Sequence, residues 1–306
     1  MSALAGHLAD YLALRRALGF KLGWQATDLA GLVASLDAAG ASTITAELAI
    51  GWAQLPQGVQ RLRWASRLGA ARGFARYLAA IDPATEVPPP DVFGARQTRP
   101  APYLWAADDV GRLMAAARTL RLPLRAATHE ALFGLLAASG MRLGEAIGLE
   151  NREVDLAGGI LTTREAKFGR SRLVPLHPSA VAALRAYAAD RDRLCPAPRA
   201  PTFFLSSVGT PLLAGGVHHV FNQLTTALGL RTATVRPRLH DMRHSFAVRT
   251  LIDWHRGDAD VEANLAVLST YLGHVNPAGT YWYLSAAPEL TELAAARLAV
   301  RIGRSR

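Results

Sequence analysis

The chain has 306 residues, half of them apolar and 19% charged, which is typical of a soluble globular protein with room for two ordinary domains. Its 34 Lys and Arg residues against 24 Asp and Glu residues give a net charge of +10, an excess that points to a polyanionic partner such as nucleic acid. The single cysteine, Cys195, excludes a disulfide framework and a cysteine-based zinc site, and it fits a reducing cytoplasm.

No targeting or membrane-spanning segment is expected. Asp10, Arg15 and Arg16 interrupt the apolar core that a signal peptide would need. The longest stretch without a charged residue, 200–230, contains Pro211 and many polar side chains, so it is predicted to form a buried loop and helix. We therefore expect a cytoplasmic protein without a membrane partner.

The first 82 residues are predicted to be entirely helical. Apolar residues recur at spacings of three and four in 3–20 and in 28–40. Thr45 is placed to cap a helix over 46–55. A further helix, 60–78, carries five arginines and no acid, which favours contact with a DNA phosphate backbone over a solvated face of mixed charge. These arginines are Arg61, Arg63, Arg67, Arg72 and Arg76.

A proline-rich stretch then divides the chain. Residues 82–103 contain six prolines and show no apolar periodicity, which is typical of a linker. We therefore predict an N-terminal helical domain over 1–82, a linker over 83–103 and a second domain over 104–306.

The second domain is predicted to be mostly helical with one region of strand. Between residues 154 and 176, β-branched or alternating runs flank Phe168, Gly169 and Arg170, which indicates a hairpin turn. The predicted helices cover 108–120, 126–139, 179–190, 216–228, 240–254, 262–272 and 289–301.

Several short segments of this domain carry residues suited to chemistry on a phosphodiester. Arg142 and Glu145 are spaced i, i+3, as are His240 and Arg243, so each pair shares one face of a helix. The lysine is one of only two in the chain and lies at the predicted hairpin turn. Taken singly, these residues also fit a helix-start salt bridge, a solubilising lysine, a core histidine and a core tyrosine. In chain order they are Arg142, Glu145, Lys167, His240, Arg243, His274 and Tyr283.

Taken together, these residue types match the needs of transesterification at a phosphodiester. Two arginines can neutralise the charge on the non-bridging oxygens, and a phenol needs a base or a positive site to act as a nucleophile. A lysine can protonate the leaving sugar oxygen, whereas an arginine cannot release a proton. No acidic cluster for metal ions is evident in the sequence, which disfavours a two-metal nuclease.

Three segments resemble the motif boxes of the tyrosine recombinase (phage integrase) family. They are GMRLGEAIGL at 140–149, LHDMRHSFAVR at 239–249, and LGHVNPAGTYWY at 272–283, where the tyrosine follows the histidine by nine positions. The resemblance covers 104–306, whereas 1–82 agrees with the family's core-binding domain only in general character. It implies a mainly α fold: a helical, SAM-like core-binding domain and a mixed α+β catalytic domain with a small β-sheet.

The resemblance implies a site-specific recombinase or integrase, of the kind found in mobile elements, that needs neither a metal ion nor ATP. Tyr283 would attack the phosphate, leaving a 3′-phosphotyrosyl link and a free 5′-hydroxyl. Double-stranded DNA would be embraced by the two domains, and protomers would assemble into a synaptic tetramer, alone or with sister recombinases. By the same resemblance Arg142 and Arg243 hold the phosphate, Glu145 orients Arg142, Lys167 protonates the leaving oxygen, His240 is the base and His274 donates a hydrogen bond.

Some features depart from the family pattern. Residues 251–265 are longer and more polar than the usual turn before the last box and are predicted to be an enlarged loop, which favours a mobile-element enzyme. Tyr281 is a second candidate nucleophile, disfavoured by its spacing from His274. The C-terminal segment, 288–306, is interpreted as a helix that docks on a neighbouring protomer or on its own domain. No role transfers to His177, His218, His219 or His244, and these histidines lack the company of a metal site.

Two other classes of protein remain open. A type IB topoisomerase shares the chemistry but relaxes DNA as a monomer, and the chain's size and generic helical N-terminal domain disfavour it. A catalytically idle DNA-binding protein could keep the fold. The complete set of six candidate catalytic residues argues against that second class.

Overall fold

The computed structural model describes residues 2–94, 101–164, 171–257, 260–273, 290 and 292. The chain divides into two compact units, Met1–Pro100 and Ala101–Arg306. This division falls inside the stretch that the sequence predicted to be a linker. The catalytic candidates all belong to the second unit, and the arginine-rich helix belongs to the first.

The first unit is helical in its described residues, as the apolar periodicity predicted. Thr45 caps the third helix, where its hydroxyl oxygen accepts a hydrogen bond from the Leu48 amide at 3.3 Å. Apolar side chains such as Leu32 and Phe74, both fully buried, form the core between the helices. The helices are α1 (Ala3–Ala17), α2 (Gly23–Ala38), α3 (Ala46–Gln54) and α4 (Arg61–Leu78).

The described N-terminal end of the proline-rich stretch packs on the first unit, and its described C-terminal end packs on the second. Arg72 of α4 donates hydrogen bonds to the carbonyl oxygens of Pro88 and Pro89, at 2.8 and 2.6 Å. The Glu86 amide donates to the Ile44 carbonyl at 2.8 Å. Residues 83–94 are therefore part of the first unit, while Tyr103 packs against the core of the second.

The second unit combines helices with a small antiparallel sheet. Its helices, within the described ranges, are α5 (Ala107–Arg118), α6 (Pro123–Ser139), α7 (Leu143–Ile147), α8 (Pro178–Leu194), α9 (Ala214–Ala227), α10 (Leu239–Arg256) and α11 (Val261–Leu272). Its strands are β1 (Val154–Asp155), β2 (Ile160–Thr163) and β3 (Arg172–Pro175). Helix α6 lies at the centre and contacts α5, α8 and α10.

The sheet has the order β1-β2-β3, and both of its pairings are antiparallel. Thr163 pairs with Arg172 and Leu161 pairs with Val174, so β2 and β3 form the hairpin that the sequence predicted. The hairpin tip, including Lys167, lies outside the described residues. Alternation along β3 places Arg172 on the same face as the buried Val174.

The prediction of an enlarged polar loop over 251–265 is wrong. Helix α10 continues to Arg256, and α11 begins at Val261, where the Asp260 carboxylate caps it by accepting a hydrogen bond from the Ala263 amide at 3.1 Å. Leu251 and Leu268 are buried in a cluster that joins the two helices. Asp253 and Glu262 are exposed on these helices, so the segment gives no support for a mobile-element enzyme.

The predicted C-terminal helix over 289–301 lies outside the described residues except at Leu290 and Glu292, both of which are helical. In the described ranges, no helix combines the length and the apolar character needed to cross a membrane.

Candidate active site

The first arginine box begins at the end of α6 and continues into α7. Arg142 precedes α7, and its guanidinium pairs with Glu145 at 2.7 Å, as the i, i+3 spacing predicts. The Arg142 backbone amide also donates to the Glu145 carboxylate at 3.1 Å. Glu145 therefore caps the N-terminus of α7 and holds the Arg142 side chain with the same carboxylate.

Glu145 has a second partner that the sequence analysis did not single out. Arg172 of β3 donates to its two carboxylate oxygens at 3.0 and 2.8 Å, in a bidentate pair. Burial of Glu145 opposes its ionisation, but hydrogen bonds and charge from Arg172, and then from Arg142, outweigh it and lower the Glu145 pKa to about 2. The carboxylate is therefore ionised at every pH at which the protein would work.

The second arginine box opens α10. Arg243 is almost fully buried, at 1% exposure, and donates to the carbonyl oxygens of Gly140 and Leu272. The start of α10 is capped by Asp241, whose carboxylate accepts from the Arg238 amide at 2.8 Å and from the Arg238 guanidinium at 2.7 Å. This arrangement repeats the capping of α7 by Glu145, so both boxes start from a helix N-terminus closed by a carboxylate.

His240 lies one turn before Arg243 on α10 and keeps contact with solvent. Partial desolvation, followed by the positive charges of Arg243, Arg142 and Arg238, lowers the His240 pKa, while Asp241 opposes the shift. Its ring meets the His244 ring edge to face, with centroids 4.7 Å apart. A histidine with a lowered pKa is neutral near pH 7 and can accept a proton.

The C-terminus of α11 brings the two boxes together. Its last carbonyl groups have no partners within the helix, and three consecutive ones accept hydrogen bonds from arginines. Arg172 binds the Tyr271 carbonyl at 2.8 Å, Arg243 binds that of Leu272, and Arg142 binds that of Gly273 at 2.8 Å. The guanidinium groups of Arg142 and Arg243 thus lie beside neighbouring peptide units, directly before His274 in the chain.

The structure therefore gathers Arg142, Glu145, His240 and Arg243 at one site. The remaining candidates, Lys167, His274, Tyr281 and Tyr283, lie outside the described residues. Gly273, which directly precedes His274 in the chain, contacts this site through its carbonyl group. Among the side chains that the structure describes, no group of three or more His, Cys, Asp or Glu residues is placed to hold a metal ion.

The arginine-rich helix differs from the sequence interpretation, which took its charges to be uncompensated. Asp28 of α2 pairs with Arg63 at 2.6 Å and lies 3.7 Å from Arg67. The Arg67 guanidinium stacks on the Trp52 ring at 3.9 Å, and Arg72 binds the proline carbonyls described above. The sequence analysis missed Asp28 because it lies in another helix. Arg63, Arg67 and Arg72 thus serve contacts within the first unit.

The comparisons with known proteins define the class of protein. Residues 105–289 match the Phage integrase family, and the chain therefore belongs to this family of tyrosine recombinases. It is 46% identical to the protein y4rB of Sinorhizobium fredii, an integrase/recombinase by name, over 97% of this chain and 98% of that protein. It is 29% identical to the tyrosine recombinase XerC of Xanthomonas campestris, over 92% of this chain and 79% of that protein.

Solved structures agree with the predicted mainly α fold. The integrase of transposon Tn1549, in complex with transposon right end DNA, aligns with a TM-score of 0.65 at 16% identity, covering 96% of this chain and 98% of that one. A lambda integrase dimer bound to a core site aligns with a TM-score of 0.59 at 18% identity, covering 91% and 76%. The chain is a site-specific DNA recombinase, an enzyme that cuts and rejoins DNA.

Gly273 is a position where only glycine fits the site. Its φ of +67° is strained for any residue with a side chain, and an added Cβ would lie 2.9 Å from the Arg172 guanidinium. We expect Gly273→Ala to lower the free energy of unfolding by about 1–2 kcal/mol or more and to slow DNA cleavage. Urea unfolding and a cleavage assay measure the two effects.

Gly229→Ala is the matched control, because Gly229 has a φ of +70° but no atom within 4 Å of an added Cβ. This variant should show the backbone strain alone and cleave DNA at the wild-type rate. Equal losses of stability in the two variants, with cleavage unchanged in both, would contradict a role for Gly273 in the site.

Proposed function

We propose that the residues gathered at the end of α11 form the phosphate pocket of this recombinase. The main support is that the guanidinium groups of Arg142 and Arg243 bind adjacent carbonyl groups, near His240, whose pKa is lowered. In this proposal the two arginines bind the non-bridging oxygens of the scissile phosphate and stabilise the extra charge of the transition state. Glu145 keeps Arg142 in place.

The remaining roles follow from the family's motif positions in this sequence. Tyr283 attacks the phosphorus atom, its O–P bond forms as the bond to the 5′ oxygen breaks, and a 3′-phosphotyrosyl link results. His240 accepts the proton of the Tyr283 hydroxyl, His274 donates a hydrogen bond to the phosphate, and Lys167 protonates the leaving 5′ oxygen. Attack by another 5′-hydroxyl reverses the step and joins the new strand, without ATP or a metal ion.

The test is covalent capture of DNA. Protein is incubated with fragmented genomic DNA of its source organism in EDTA without ATP, then denatured, and any attached DNA is sequenced. We expect DNA joined through a 3′ end at one recurring sequence. DNA binding without any adduct, even with neighbouring recombinases added, would contradict the proposal and favour an idle DNA-binding protein. In a separate assay, relaxation of plasmids that lack paired sites would contradict it and favour a type IB topoisomerase.

We further propose that the substrate is double-stranded DNA of a mobile element in the cytoplasm, and that protomers pair its sites in a synaptic tetramer. Support comes from the Tn1549 transposon integrase, whose structure aligns with this one over nearly the whole length of both chains. Captured sequences that map to the ends of an insertion, and a complex of four protomers on two sites by light scattering, are the expected results. Sequences confined to a single replicon-resolution site would contradict the mobile-element assignment.

The first unit is proposed to contact DNA through the exposed arginines of α4, Arg61 and Arg76. Because each phosphate contact releases counterions, replacing both with Gln should reduce the salt dependence of DNA binding by about two units of slope. Fluorescence anisotropy at several salt concentrations measures it. Arg16→Gln with Lys21→Gln removes the same charge from exposed positions outside α4 and should change the slope much less. Equal slopes for the two double variants would contradict the contact.

A further inference from the structure

Arg172 connects three parts of the site. It is the first residue of β3, and its side chain is only 11% exposed. Its two terminal nitrogens donate to Glu145 at 3.0 and 2.8 Å, and its Nε donates to the Tyr271 carbonyl at 2.8 Å. A single guanidinium thus contacts α7 and the end of α11 from the base of the hairpin.

The Glu145 carboxylate is shared between two arginines. Oε1 accepts from Arg142 Nη1 at 2.7 Å and from Arg172 Nη1 at 3.0 Å, and Oε2 accepts from the Arg142 amide at 3.1 Å and from Arg172 Nη2 at 2.8 Å. Because Glu145 is 9% exposed, little water is available to replace a lost partner. The orientation of Arg142 therefore depends on Arg172 through Glu145.

Two further candidate catalytic residues lie close in the chain to Arg172 or to a residue that it contacts. Lys167 precedes Arg172 by five residues in the segment that joins β2 to β3, and His274 follows Tyr271 by three residues. Contacts of Arg172 thus hold the base of the hairpin and the end of α11, from which both candidates extend. A lysine at this position could supply the charge but not a two-pronged contact together with a third donor.

We propose that Arg172 is a positioning residue for DNA strand cleavage. It orients Glu145, so that Arg142 meets the phosphate in one geometry, and it fixes the end of α11. It acts through these groups rather than on the phosphate. The inference rests on the proposed role of Arg142 in the phosphate pocket.

The test compares Arg172→Met, Glu145→Gln and the double variant by the rate of covalent adduct formation on saturating fragmented genomic DNA. Small misplacements in a catalytic site cost about 100-fold in rate, so we expect each single variant to be slowed about 10–100-fold with DNA affinity preserved. If Arg172 acts through Glu145, the double variant should be no slower than the slower single variant.

Arg164→Met is the matched control. Arg164 belongs to the same hairpin and pairs with another buried carboxylate, that of Glu153, at 3.1 Å. Because Arg164 pairs with Glu153 rather than with Glu145, the Arg164→Met variant should form the adduct at the wild-type rate. Should Arg172→Met fail to fold, Arg172→Lys keeps the charge and should fold, yet it should still form the adduct more slowly.

A pH titration of stability tests the contact without relying on activity. The folded-state pKa of Glu145, about 2, lies below its usual value of 4.5, so its stabilisation is present above pH 4.5 and is lost as pH falls toward 2. The difference in Tm between wild type and Arg172→Met should therefore shrink over that interval, and this pH dependence should be absent in the Glu145→Gln background, where only contacts such as that with the Tyr271 carbonyl remain.

The outcomes separate the positioning role of Arg172 from the proposed phosphate pocket. Additive rate losses, loss of DNA affinity equal to the loss of rate, or a Tm difference independent of pH would each overturn the role of Arg172. A wild-type protein that forms no adduct contradicts the proposed phosphate pocket instead, and the Tm titration then still decides whether Arg172 holds Glu145.

Discussion

Replacing Tyr283 with Phe should abolish the covalent protein–DNA adduct while leaving DNA binding intact. The change removes only the phenolic oxygen, which is the proposed nucleophile, and keeps the aromatic ring. The described tyrosines beside the site do not offer a substitute, because burial raises the pKa of Tyr271 to about 12 and keeps its phenol protonated. Denaturing gels for the adduct and mobility shifts for binding measure the two properties.

Tyr281→Phe is the matched control, since Tyr281 lies two residues earlier in the same segment. It should retain the adduct. If instead the adduct survives in Tyr283→Phe and disappears in Tyr281→Phe, the nucleophile is Tyr281 and the spacing of nine from His274 is not the one that this chain uses.

Replacing Lys167 with Arg should slow cleavage by about 10²–10⁴-fold, the usual range for loss of a general acid. Arginine keeps the positive charge and the reach but does not release a proton near neutral pH. Lys167 and Lys21 are the only lysines of a chain that otherwise uses arginine, which suggests that a lysine is required at position 167. Single-turnover cleavage with excess protein measures the rate.

The control for Lys167 is a substrate whose leaving 5′ oxygen is replaced by sulfur. A thiolate leaves without a proton because its conjugate acid has a pKa near 8.5, far below that of an alcohol. Lys167→Arg should cleave this substrate at close to the wild-type rate. An equal loss on both substrates would assign Lys167 to phosphate binding rather than to proton donation.

Local patterns in the sequence predicted the helices well, since each depends on residues three and four apart. The Thr45 cap and the Arg142–Glu145 pair were predictable for the same reason. The same spacing predicted helices over 240–254 and 262–272, so the enlarged loop over 251–265 rested on the charged residues alone. The burial of Leu251 and Val261 is decided by packing between the two helices.

The parts of the site that escaped prediction depend on distant pairings. Arg172 and Glu145 are 27 residues apart, and Arg63 and Asp28 are 35 apart, so no local spacing links them. One signal was available for Arg172: alternation along β3 places it on the face of Val174, where a buried arginine requires a carboxylate. For Asp28, only the packing of α2 on α4 reveals the partner.

The three arginine-bound carbonyls at the end of α11 make the cutting machinery cooperative. Terminal carbonyl groups carry partial negative charge, so they favour cationic side chains beside them. In the proposed phosphate pocket, the side-chain entropy that flexible arginines would lose on binding a phosphate is therefore lost during folding. Fraying of the last turn of α11 would remove one hydrogen bond from each of the three arginines at once, while Arg142 and Arg172 would keep Glu145 and Arg243 would keep the Gly140 carbonyl. The geometry of the proposed phosphate pocket therefore depends on the order of the last turn of α11.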